Sequence, residues 1–154
     1  MNALVVANQA AHARFLAALE EALVALTTLD LARATDAWSR LGAALARHER
    51  VEAELLALQL DVVAPRGGGA ALVVAEHRRL DLLHAEATAT IAGLEAVPDD
   101  ARRLAMVRGL DELLRVRHLL EHHGQREDDI VYPFLGRALD GVVVAGFAQR
   151  LGAT

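Results

Sequence analysis

The chain has 154 residues, enough to bury one substantial core and too few for two ordinary domains. Hydrophobic residues make up 54% and aromatics only 3%, with Ala, Leu and Val dominating, a composition that favours helices and argues against an all-β fold. A net charge of −5, 16 basic residues spread along the chain and no cysteine argue against a nucleic-acid partner and a disulfide framework.

Apolar residues recur at helical spacing from Asn2 to about Leu26, through Val5, Leu16, Leu19 and Leu23, until Thr27, Thr28 and Asp30 break the run. A second helix is predicted from about Leu31 to Leu60 through Trp38, Leu41, Leu45, Leu55 and Leu56, followed by a loop around Pro65 and Gly67–Gly69. The third runs from about Ala71 to Leu94, with Val73, Val74, Leu80 and Ile91 on its stripe. Pro98, Asp99 and Asp100 then open a fourth that reaches about Phe134, with Pro133 near its end. A last apolar segment, Val142 to Leu151, reads as a short helix capping the bundle. Four long amphipathic helices joined mostly by short connections predict an all-α, up-down-up-down four-helix bundle over about 2–136 with a C-terminal cap over about 139–152, the whole chain forming one domain. Mean hydropathy is +0.25, yet no run approaches the roughly 18 apolar residues of a membrane span. The start of the chain also lacks the basic region and cleavage site of a secretory signal, so no membrane partner and a cytoplasmic location are expected.

The seven histidines are the informative residues, because imidazole is the commonest metal ligand. With about 100° per residue, His12 falls within roughly 40° of the apolar stripe of helix one. His48 and Glu52, four residues apart in HERVE, fall on the stripe of helix two. His77 falls on that of helix three, with Asp81 and His84 on nearly the same side. His123 and Glu127, in HHGQRE, line up with Val116, Leu120, Ile130 and Phe134 on helix four. His122 lies about 100° from His123 and is the alternative ligand if the helix is wound differently there, whereas His118 should be solvated. Counting residues outward from each turn leaves the groups level to about 3 Å, so all six inward groups can share one layer. Four neutral imidazoles and two carboxylates carry a charge of −2, and their mixed N/O donors suit iron or manganese and also zinc. If each carboxylate bridges two metals, positions remain for a bridging hydroxide or oxo group and an exogenous ligand.

A histidine on the first helix, HxxxE on the second, a histidine on the third and HxxxE on the fourth resemble the hemerythrin HHE cation-binding family. His12, His48 with Glu52, His77 in its EH pair, and His123 with Glu127 fill that order, and DDIVYP is similar to the family's acidic ending; the likeness covers about residues 8–136. It implies a non-haem, carboxylate-bridged di-iron centre that meets dioxygen, peroxide or nitric oxide. Invertebrate oxygen carriers have a second histidine one turn after the third-helix ligand, where this chain has Asp81. That departure points away from reversible oxygen carriage and leaves Asp81 or His84 as an additional ligand or a hydrogen-bonding partner of one. No ExxH pair of the ferritin type occurs on these helices. The chain reads as a binder, store or scavenger; an enzyme consuming peroxide or nitric oxide would use the same residues. The rival class is a metal-free or zinc-bound helical interaction module, with a homodimer or another protein as partner. Nucleophilic and phosphate-binding readings fail, because Ser39 is the only serine and Gly67–Gly69 has no lysine beside it.

Overall fold

A computed structural model describes residues 2–57 and 69–153, in which no strand occurs. Helix α1 spans Ala3–Thr27, α2 Leu31–Ala57, α3 Gly69–Gly93 and α4 Asp99–Arg126; α5 is Tyr132–Ala138 and α6 is Gly141–Gly152. A 3-10 turn, Leu94–Ala96, ends α3, and a π-helical turn, Glu127–Val131, joins α4 to α5. Of the loop expected around Pro65 and Gly67–Gly69, residues 65–68 lie outside the described residues, as does the expected end of helix two at Leu60; Gly69, expected in that loop, instead opens α3, two residues before the expected start at Ala71. Helices α1 to α4 pack in a ring, each against its two neighbours, as a four-helix bundle requires, and α6 lies against α1 and α2. No described helix is long and apolar enough to cross a membrane.

Side chains fix the helix ends. Asn2 Oδ1 accepts from Leu4 N at 3.0 Å while its Nδ2 donates to the Tyr132 carbonyl at 2.7 Å, capping α1 and tying it to α5. After α1 the chain turns on Leu29, whose φ of 58° is the left-handed value that closes a helix C-terminus. There Leu29 N donates to the Leu26 carbonyl and Asp30 N to that of Ala25, after which Asp30 Oδ1 caps α2 at Arg33 N. Between α3 and α4, the Arg102 guanidinium donates to the carbonyls of Leu94 and Val97.

The apolar core is split in two. One cluster holds Phe15, Leu19, Trp38, Leu41, Leu45, Leu80, Ile91, Leu113 and Leu120; the other holds Leu4, Val51, Leu55, Val73, Val131, Tyr132, Leu135 and Leu151. Each long helix passes from one cluster to the other through a polar step: Asn8 and His12 on α1, His48 and Glu52 on α2, His77 on α3, and His123 followed by Glu127 on the last. The C-terminal helix closes the second cluster with Leu151, Val144 and Phe147.

The end of the fourth helix differs from the expectation. Helical backbone continues past Phe134 to Ala138, and the residues turned inward beyond Glu127 are Val131, Tyr132 and Leu135, while Ile130 is 60% exposed and Phe134 half-buried. The π turn accounts for this, because it takes one residue more than an α turn and shifts everything after it by one position. Tyr132 N donates to the Glu127 carbonyl five residues back, and Pro133, lacking an N–H, cannot bond to the Asp129 carbonyl as an α-helix would demand. On α3, Val73 is buried while Val74 is 37% exposed, so the stripe is narrower than its apolar residues suggest.

This phase shift can be tested on the metal-free protein by denaturant unfolding. Leu135→Ala is expected to cost ~2–5 kcal/mol, and Ile130→Ala no more than about 0.5 kcal/mol. A comparable loss for Ile130→Ala would restore the plain α phase.

Candidate metal centre

All six residues that the helical phase turns inward are buried: His48 is 1% exposed, Glu52 2%, His123 1%, Glu127 0%, and His12 and His77 each 8%. Ligand atoms of Glu52, His77, His123 and Glu127 lie within 4.8 Å of one another, and so do those of His12, His48 and Glu127. Glu127 belongs to both groups. Its Oε1 lies 2.9 Å from His123 Nε2 and its Oε2 3.2 Å from His12 Nε2. Glu52 also faces both ways, its Oε2 lying 2.9 Å from His77 Nε2 and 3.5 Å from His48 Nε2.

These contacts bring together more acceptor atoms than the protein's own donors satisfy. Glu52 Oε2, Glu127 Oε1 and His12 Nε2 are buried and make no hydrogen bond although nitrogen or oxygen atoms stand close by, and His77 Nε2 and His123 Nε2 face each other at 3.1 Å. Acceptor atoms thus converge on shared space with unsatisfied bonding capacity, which is how a set of metal donors is arranged. The residues present therefore fit a bound metal.

A second ring of groups holds the donors in place. Asn8, fully buried, donates from Nδ2 to Glu127 Oε2 at 3.2 Å and to Asp128 Oδ1 at 3.0 Å. Glu76 Oε2 takes His123 Nδ1 at 3.0 Å, so Nε2 is the nitrogen left for the cluster, and its Oε1 is held by Arg126. Tyr132 donates its hydroxyl to Glu52 Oε1, leaving Oε2 toward the histidines. The helical count did not single out these three. Asn8 stands one turn before His12 and Glu76 beside His77, so both were open to the same reading, whereas Tyr132 is turned inward only by the π turn.

The remaining candidates lie elsewhere. Asp81 is exposed and is not among the clustered donors. His84 is engaged by α2: its ring stacks on Trp38 at 5.0 Å and its Nε2 meets the Trp38 carbonyl at 3.1 Å. His122 is exposed and packs edge-on against exposed His118 at 4.3 Å, which leaves His123 as the inward residue. Glu54 is exposed and pairs with Arg150 of α6 at 2.6 Å. Glu49, by contrast, is only partly exposed, with Oε1 buried and making no hydrogen bond.

Burial and mutual charge set the protonation states. Burial pushes His48 down to about 4 despite the neighbouring Glu52 carboxylate, so its imidazole is neutral near pH 7. Burial opposes charge on His123 too, but the Glu127 carboxylate outweighs it, aided by Glu52 and Glu76, and raises that histidine to about 9. For Glu127 burial works upward, yet the imidazoles of His12 and His123 at its two oxygens hold the carboxyl well below its usual range. Desolvation and the Glu52 carboxylate keep the Tyr132 phenol protonated far above its ordinary value, as a donor must be. Burial lifts the Glu49 carboxyl to about 7.

A helical bundle with a buried layer of histidines and carboxylates at its centre defines a metal-binding helical protein. The family model described as the hemerythrin HHE cation binding domain matches residues 4–139, and the chain belongs to that family. No curated protein and no solved structure matches it. Family membership and the convergent donors together support a bound metal at this layer.

Without metal, the raised value of His123 has a directional consequence for stability. Its proton is bound more tightly in the folded chain than in the unfolded one, so the stabilisation is complete below 6.5 and is lost as pH rises through about 9. The shift of His48, from 6.5 to about 4, and that of Glu49, from 4.5 to about 7, act at lower pH. The melting temperature of the metal-free protein should therefore fall between pH 7 and 9, and the fall should flatten in His123→Gln; an equal slope in the variant would contradict the assignment.

Proposed function

We propose that His12, His48, Glu52, His77, His123 and Glu127 hold two iron ions in a non-haem centre that binds or reacts with dioxygen or a related small oxidant. The observation that carries this reading is the position of Glu127 in both donor groups, with one oxygen toward each. In this reading Glu127 and Glu52 bridge the metals and the four histidines are terminal ligands. A donor set of four imidazoles and two carboxylates suits iron, and its charge of −2 offsets part of the charge of two divalent ions. Two irons held this way supply one- and two-electron chemistry toward dioxygen, peroxide or nitric oxide.

The surrounding residues prepare the donors for that task. Glu76 accepts from His123 Nδ1 and so orients the ring and raises its basicity. Tyr132 fixes Glu52 through Oε1, and Asn8 steadies Glu127 through Oε2. Metal must displace the proton that His123 carries in the metal-free state, so binding releases a proton and weakens as pH falls. The two apolar clusters exclude bulk water from above and below, which keeps the centre from being hydrated in place of its protein ligands.

Metal analysis of protein purified in air, together with its optical spectrum before and after anaerobic reduction and return to oxygen, tests the proposal. Two irons per chain, with near-ultraviolet charge-transfer bands that bleach and recover, are expected. Glu127→Ala should lose at least one metal equivalent while keeping its helical circular dichroism; unchanged stoichiometry would reject the ligand assignment. Absence of iron even after anaerobic reconstitution would favour the zinc-bound or metal-free interaction module.

A further inference from the structure

The His/Glu layer is buried, so a metal needs a way in. Among the surface grooves of the described residues, one of about 410 Å3 between α1 and α4 reaches a member of the layer, since His12 lines it beside Gly124. His12 is more than nine-tenths buried, and its Nε2, 3.2 Å from Glu127 Oε2, makes no hydrogen bond. Gly124 makes this approach possible. A Cβ at that position would stand 2.5 Å from His12 Nδ1 and 2.9 Å from Cε1, so any other residue would displace the ring or fill the groove above it.

Charge separates this groove from two others among the described residues. Glu121, Asp128 and Asp129 line it and no arginine does, although Arg117 holds Glu121 Oε1 at 3.0 Å from outside it, whereas Arg79 and Arg115 together with Asp111 line the groove between α3 and α4, and Arg137 the one beside Pro133. The acidic groove is also wired to the layer. Asp128 Oδ1 takes Asn8 Nδ2 at 3.0 Å, and the same amide group reaches Glu127 Oε2 at 3.2 Å.

We propose that this groove is the port through which divalent metal cations enter the His/Glu layer, with Glu121, Asp128 and Asp129 concentrating the cation and His12 receiving it. The proposal rests on the metal-centre reading above. A cleft lined by charge of one sign raises the entry rate of the opposite charge by roughly 10- to 1,000-fold in favourable cases, and salt weakens the effect. Carboxylates at the mouth therefore govern how fast the layer fills, while the six donors govern how much it holds.

The test mixes metal-free protein with Co(II) and follows the visible absorption of the bound ion by stopped flow. Glu121→Gln combined with Asp129→Asn removes two exposed charges and leaves every donor in place. Uptake in this variant is expected to slow at least about threefold at low salt, with the gap narrowing as ionic strength rises and the final Co(II) equivalents unchanged. Asp111→Asn, in the groove between α3 and α4, is expected to leave the rate as it is. Equal rates for the double variant and the wild type, or equal slowing by Asp111→Asn, would overturn the port and leave the centre standing. No Co(II) uptake by the wild type would overturn both.

Discussion

Glu127 has no contact with solvent, sits at the centre of a protein interior and must remain ionised to be useful. Removing a carboxylate from water costs several kcal/mol or more unless partners replace the lost hydration. Here the replacement is divided among His12 at one oxygen, His123 at the other and the Asn8 amide. These partners come from α1 and α4, so the carboxylate requires both helices to hold one relative height and rotation. Glu52 sets the same condition on α2 and α3 through His48, His77 and Tyr132. The four helices are therefore locked at one layer by groups that would be costly to bury separately. The apolar clusters on either side keep water out and so make that coupling strong.

The π turn follows from this constraint. Beyond Glu127 the helix must bring Val131 and Leu135 to the second apolar cluster and Tyr132 to Glu52. In an α-helix Tyr132 would lie about 140° from Glu127 and would miss the layer. One extra residue in the turn rotates the rest of the helix until all three face inward, and Pro133 weakens the competing α arrangement by having no N–H to donate. A local departure from regular geometry thus joins the centre to the end of the bundle.

How far the molecule was legible depended on whether helical phase stayed regular. His12, His48, Glu52, His77, His123 and Glu127 all stand where a count of about 100° per residue places them, because the first five lie within unbroken α-helix and Glu127 is the first residue of the π turn, ahead of the shift it introduces. Ile130, inside the wider turn, and Phe134, beyond it, fall one position from where an α count puts them, and a sequence carries little sign of a π turn apart from the proline after it. Asp81 and His84 shared the face of His77 only approximately; His84 instead stacks on Trp38, where Gly42 leaves room for its ring. Phase shows which way a side chain points, but not which neighbour will claim it.

The two halves of the layer are not equivalent, and the asymmetry originates outside the donors. On the His77 and His123 side, Glu76 anchors an imidazole and Tyr132 occupies one oxygen of the shared Glu52, so the groups are held from several directions. On the other side, His12 lies against the bare backbone of Gly124 at the foot of an open groove. Rigidity and access are thus divided between the halves: one is braced by α3 and the π turn, while the other lies where α1 and α4 approach without a side chain between them. A metal site that is both firmly held and reachable needs these properties in different places, and in this bundle a tyrosine on one side and a glycine on the other provide them.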